Sequence, residues 1–183
     1  MTVAHADAVD GVLRTVRLSG DRTLIVRNVT AADVDGLDAL FAGLCDDDRY
    51  SRFFSMFHPP REFLEQMTRV AEEGGFRLVA IVRGAEDKLV AEAAYVLLPD
   101  GNGEFALTVA EGWRGWLGPY LLHALVAAAA ARGVPNLLAD ILVVNARMLA
   151  LVSSRGYVTV EHEASELRVA IGAAQPAKRR QDR

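Results

Sequence analysis

The sequence predicts a mixed α/β (α+β) domain, a mostly antiparallel sheet of about 6–7 strands with helices on both faces. Three observations predict it. The hydrophobic period switches from two to helical spacing and back several times along the chain. Gly-, Pro- and Asp-rich turns fall between the periodic runs. At 183 residues, with 51% hydrophobic and 24% charged residues, the chain can bury one ordinary core, which excludes a disordered or low-complexity protein.

Val12 to Leu18 alternates apolar and polar residues, Ser19-Gly20-Asp21 is a turn, and Thr23 to Asn28 is rich in β-formers, so a hairpin is expected. Thr30-Ala-Ala-Asp33 is a capping-box variant. Behind it Val34, Leu37, Leu40, Phe41 and Leu44 recur at helical spacing. Asp46 to Phe54 opens a second short helix, and Pro59-Pro60 stops it. Arg61 to Glu73 reads as a third helix, ended by Gly74-Gly75. Phe76–Val82, Lys88–Leu98 and Glu104–Ala110 then read as a meander, with Pro99-Asp-Gly-Asn-Gly103 as its strongest turn. A loop over Trp113–Gly118 enters a long Leu- and Ala-rich helix ending near Arg132-Gly133. Pro135–Val144 is a buried strand, Asn145 opens a helix that ends at Arg155-Gly156, and Tyr157–Glu161 and Leu167–Ile171 close the chain. The expected organisation is a flexible N-terminus over 1–11, one domain over 12–172 and a basic, disordered tail over 173–183.

Net charge is −4, so there is no global basic footprint for nucleic acid. The single cysteine, Cys45, cannot form an internal disulfide or a Cys-rich zinc site, and fits a reducing, cytoplasmic setting. His5, His58, His123 and His162 show no metal spacing, so no metal is expected. The N-terminus lacks the basic start of a signal peptide. The apolar run from Tyr120 to Ala131 is shorter than the roughly 20 residues needed to span a bilayer. No membrane partner is expected.

The most informative stretch runs from Gly103 to Leu122: a strand, a glycine-containing loop and a helix start. Helix N-termini offer unpaired N–H donors and a positive dipole end, which bind phosphates. Gly115 and Gly118 allow close backbone approach. On these residues alone a plain tight connection is the leading reading.

The wider pattern resembles the GNAT superfamily of N-acetyltransferases, and within it the acetyltransferase domain of bacterial protein-lysine acetyltransferases. The resemblance covers Val12 to Tyr157. It is carried by Val12-Leu-Arg to Ile25-Val-Arg27 followed by Val29-Thr-Ala-Ala-Asp33, by Arg49-Tyr-Ser-Arg-Phe-Phe54, by Glu104-Phe-Ala-Leu-Thr-Val109, and by Asn145-Ala-Arg-Met-Leu-Ala-Leu151 with Gly156-Tyr157. It implies an acyl-CoA-dependent N-acyltransferase with acetyl-CoA as cosubstrate. The acceptor would be a primary amine, either a small molecule or a protein lysine. It places the catalytic base at Glu104, with partial burial expected to raise its basicity, pantetheine along the backbone of Leu107, Thr108 and Val109, the pyrophosphate at Arg114, Gly115, Trp116 and Gly118, and the CoA arm at Asn145. Asn145 is also a good helix cap. GNAT proteins often form homodimers through sheet edges or C-terminal strands, which makes Leu167–Ile171 a candidate contact surface.

Two departures keep a second reading open. Arg114-Gly-Trp-Leu-Gly118 is one residue short of the family's loop, Trp116 is bulky where the chain should hug phosphates, and Pro119 supplies no N–H. Val152 stands where many relatives place a proton-donating Tyr, although the lysine-acetylating branch often lacks it too. The alternative is a non-catalytic module of the same fold with weak or no CoA binding. Among other residues, Cys45 is expected to be a small buried hydrophobe. Asp46-Asp-Asp48 is either a solvated cap or an attractor for a cationic acceptor. Phe53, Phe54, Met56 and Phe57 are either core or acceptor-groove lining, and His58 is a candidate border of that groove.

Overall fold

A computed structural model describes residues 12–173. In chain order the strands are β1 (Val12–Arg17), β2 (Thr23–Asn28), β3 (Phe76–Arg83), β4 (Lys88–Leu97), β5 (Gly103–Val109), β6 (Asn136–Leu142), β7 (Val158–His162) and β8 (Glu166–Gly172). The helices are α1 (Val34–Ala42), α2 (Asp46–Phe53), α3 (Arg61–Thr68), α4 (Leu117–Ala131) and α5 (Ala146–Ser153). The spatial order is β1-β2-β3-β4-β5-β6-β8-β7. Every neighbouring pair is antiparallel except β5–β6, which α4 connects as a crossover and which is therefore parallel.

The sheet has eight strands rather than six or seven, because both strands of the N-terminal hairpin join it through β2–β3 pairing. The third helix is shorter than expected. It ends at Thr68, and Val70–Glu73 forms a separate 3₁₀ turn before Gly74. The expected end segments lie outside the described residues, apart from Ala173, which is buried and donates its N–H to the Pro135 carbonyl at 3.0 Å. Leu167–Ile171 is not a free edge: β8 is paired with β6 on one side and β7 on the other, and Val169 and Ile171 are buried. The open edge at this end of the sheet is β7, all of whose residues are exposed.

Phe76–Val82 and Leu89–Tyr95 are buried on both faces, as strands sandwiched between helices must be. One face packs Leu78, Ala93, Tyr95 and Phe105 against Leu121, Leu122 and Leu125 of α4. The other packs Val79, Ile81 and Leu89 against Leu37 and Phe41 of α1 and Leu64 of α3. Three devices fix the helices around the future site. Asp33 bonds Thr30 and makes a two-pronged pair with Arg27 at 2.7 Å, anchoring the entry to α1. Asp46, Asp47 and Asp48 complement the dipole of α2. The Asn145 side chain accepts from Met148 N–H at 3.0 Å and caps α5.

Candidate functional site

β5 and β6 pair only at Gly103–Leu137 and Glu104–Leu138. Beyond those two pairs the strands diverge, and one edge of β5 has no strand partner. The gap opens into a cleft of about 960 Å³, walled by β5, β6, α2, the loop before α4, and α5. Alternation fixes which side chain faces where. Phe105, Leu107 and Val109 point to the α4 side and join its core. Glu104, Ala106 and Thr108 point to the α2 side, where Thr108 meets Arg52 at 3.0 Å.

Of the residues picked out in the sequence, Glu104, Leu107, Thr108, Val109, Arg114, Gly115, Gly118 and Asn145 all line this cleft. Glu104 lies at its closed end and is exposed to it, rather than partly buried as expected. Gly115 has φ +106, a conformation that side chains rarely adopt. Among the described residues, the backbone N–H groups of Gly115, Trp116, Leu117 and Gly118 donate to no other backbone group. They form the free start of α4, followed by Pro119.

Trp116 does not line the cleft. Its ring faces outward, with the Arg14 guanidinium 5.4 Å from its centroid and 4.5 Å from that of Tyr120. Arg114 is already engaged: one nitrogen bonds Asp48, and Nε donates to the Val109 carbonyl at 3.4 Å. Burial works against ionising Asp48, but bonds from the Cys45 thiol and Arg114 hold its carboxyl below the usual carboxylate value. Asp48 is thus not a free attractor for a cationic acceptor. Cys45 is exposed, not buried, and its thiol donates to Asp48 at 3.1 Å. His58 lies outside the cleft against Asp38 at 2.9 Å. Phe53 and Phe54 line the cleft, whereas Met56 and Phe57 are exposed beside it.

The sequence reading missed the polar cluster behind the α2 wall. Glu92 on β4 is fully buried. Arg52 donates to its Oε1 through Nε at 3.2 Å and Nη2 at 3.1 Å; Thr108 Oγ1 donates to the same oxygen at 3.0 Å, and Arg77 bonds Oε2. Arg77 also donates to the Met67 carbonyl at 3.1 Å. A signal existed: Glu92 and Arg77 are lone charges inside otherwise apolar strand runs. A charge in such a run is rarely buried unpaired.

No protein-family model and no curated protein sequence matches the chain. Solved structures do. The GNAT domain of S. lividans PAT superposes with a TM-score of 0.73 at 22% identity, covering 87% of this chain and 96% of that one. The Salmonella typhimurium yncA structure, solved with its cofactor acetyl-CoA, gives 0.68 at 17% identity over 84% and 96% of the chains. A cAMP-binding acyltransferase from Mycobacterium smegmatis gives 0.55 at 26% identity; the match covers 86% of this chain but 46% of that longer one. Among the described residues, no helix is long and apolar enough to cross a membrane. The splayed strands, the crossover helix and these superpositions agree: the chain has the fold of the GNAT acetyltransferases.

Proposed function

We propose that this protein transfers an acetyl or other short acyl group from an acyl-CoA to a primary amine. One observation carries the reading: a single cleft joins the Glu104 carboxylate at the closed end of the β5–β6 splay to the row of open N–H groups at Gly115–Gly118. The N–H row and the α4 dipole suit a pyrophosphate. The unpaired edge of β5 over Leu107–Val109 can bond an extended pantetheine as a strand would, without needing particular side chains. Asn145 is fixed as the cap of α5 by its Oδ1, which leaves its Nδ2 for the CoA arm. Glu104 takes a proton from the acceptor ammonium, since only the free amine attacks. The amine nitrogen then bonds the thioester carbon, the C–S bond breaks, and the departing CoA thiolate takes up the second proton that the nitrogen sheds. Superposition on a structure that holds acetyl-CoA supports the choice of cosubstrate. The lone exposed thiol of Cys45 suits a cytoplasmic setting.

A second reading, a non-catalytic module of this fold, is favoured by one feature: the loop's own cation, Arg114, is already taken by Asp48. Calorimetric titration with acetyl-CoA, followed by a CoA-release assay with primary amines, decides between them. Micromolar binding with amine-dependent CoA release supports the enzyme. No binding up to millimolar concentration rejects it.

A further inference from the structure

We propose that Arg52 reads a carboxylate on the acceptor, so that the substrate is an amino carboxylate rather than a polyamine. The inference rests on the acyl-transfer reading above. Two guanidiniums, Arg52 and Arg77, share one carboxylate, Glu92, leaving one positive charge uncompensated. Arg77 and Glu92 are sealed, at 5% and 0% exposure. Arg52, at 17%, is the member that reaches the cleft. Its Nε and Nη2 are committed to Glu92 and Thr108, while Nη1 makes no hydrogen bond among the described residues. A half-buried guanidinium with open N–H groups and excess positive charge is matched by an anion and repels a second cation.

Arg52 lies on the same side of β5 as Glu104, because residues 104 and 108 share a face. Four residues of strand separate their positions by about 13 Å; after a hydrogen bond of about 2.9 Å at each end, on the order of 7 Å remains. That suits an amine and a carboxylate held several carbons apart. Ala106 stands between positions 104 and 108 on the same face of β5, and Phe53 and Phe54 line the same cleft. Phe54 ends α2 in the left-handed conformation at φ +54, which fixes its place on the cleft wall. The acceptor is therefore an aliphatic chain with an amine for Glu104 and a carboxylate for Arg52.

Three acceptors of equal length test this with saturating acetyl-CoA: ε-aminocaproate, its carboxamide, and hexylamine. The carboxylate is expected to lead in kcat/KM by at least about tenfold, mainly through KM. Spermidine is expected to be poor. In Arg52→Gln the ratio between carboxylate and carboxamide falls to about one; Glu92 keeps Arg77 as a balanced partner, and a ratio does not depend on how much protein is folded. Equal rates for all three acceptors in the unaltered protein overturn the proposal and leave acyl transfer standing. Faster transfer to hexylamine from succinyl-CoA than from acetyl-CoA puts the carboxylate on the donor, which also overturns it. If no amine is acylated, the acyl-transfer reading fails, and calorimetry decides the subsite alone. Tighter binding of ε-aminocaproate than of its carboxamide, lost in Arg52→Gln, supports the Arg52 site; equal or absent binding overturns it.

Discussion

Replacing Glu92 by Gln keeps the shape of the buried cluster and removes its only negative charge. Arg77, at 5% exposure, then stands unpaired apart from its bond to the Met67 carbonyl. Arg52 is less affected, because it can turn toward cleft water. Removing one partner of a buried ion pair typically costs about 3–5 kcal/mol. The partial exposure of Arg52 puts the expected loss near the low end, about 3–4 kcal/mol. For a domain of this size that is a fall in Tm of roughly 6–16 °C. The charge count also predicts an asymmetry. Arg77→Met leaves Glu92 with Arg52, one charge against one, and loses mainly the bond to Met67. It should cost about 1–2 kcal/mol, less than Glu92→Gln. Urea unfolding of both variants, followed by tryptophan fluorescence, measures the two losses. A loss below about 1 kcal/mol for Glu92→Gln, or a larger loss for Arg77→Met, refutes the idea that one carboxylate holds two arginines.

Five further outcomes are expected. Glu104→Gln lowers kcat by roughly 10²–10⁴-fold at neutral pH and leaves acetyl-CoA affinity unchanged by calorimetry; unchanged turnover removes Glu104 from the mechanism. Gly118→Glu weakens acetyl-CoA binding by at least about tenfold through charge at the N–H row. Gly118→Ala, whose new methyl meets only Leu151 at 3.8 Å, folds normally and gains up to about 1 kcal/mol in unfolding experiments. Trp116→Ala changes acetyl-CoA affinity by less than about twofold, since its ring packs outward on Arg14. Asp33→Asn destabilises at neutral pH by about 2–3 kcal/mol. Burial resists ionisation of Asp33, but its bonds to Arg27 and Thr30 hold its folded-state pKa below the ordinary value. The stabilisation is therefore complete above about pH 5 and is lost as pH falls through that lowered value, so the gap between parent and variant closes in acid.

Most of the architecture was legible because each element is signalled locally. The alternation of β1 and β2, the Thr30–Asp33 box and the glycine turns act within a few residues of themselves. The edge order of β7 and β8 was not, because pairing is a long-range choice that strand propensity does not encode. The site divides the same way. Glu104, Gly115, Gly118 and Asn145 fall in one strand–loop–helix pattern and one helix cap, and the cleft gathers all four. The Arg52–Glu92–Arg77 cluster joins residues 40 and 15 positions apart, and no local pattern links them. Cys45 was misread for a related reason. An amphipathic pattern cannot tell the last buried turn of α1 from the exposed cap of α2, and Cys45 takes the cap.

For the proposed acyl transfer the short loop before α4 is the feature to account for, and its geometry answers part of the difficulty that its length poses. Gly115 reverses the chain at φ +106, which swings Trp116 out of the cleft and onto Arg14. The bulk that threatened the phosphates is thereby removed from their path. Pro119 sits within the first turn of α4, where an N–H has no helical partner in any case, so the helix itself loses nothing. What is lost is charge, because Arg114 is neutralised by Asp48. Arg147 lies 3.8 Å from the same carboxylate with a side chain 73% exposed, so it remains able to turn toward a phosphate. On the acyl-transfer reading proposed above, CoA would lean on backbone N–H groups and one exposed arginine. Such a site holds phosphate by dipoles more than by ion pairs, and its affinity should fall less steeply with salt than that of an arginine-lined loop.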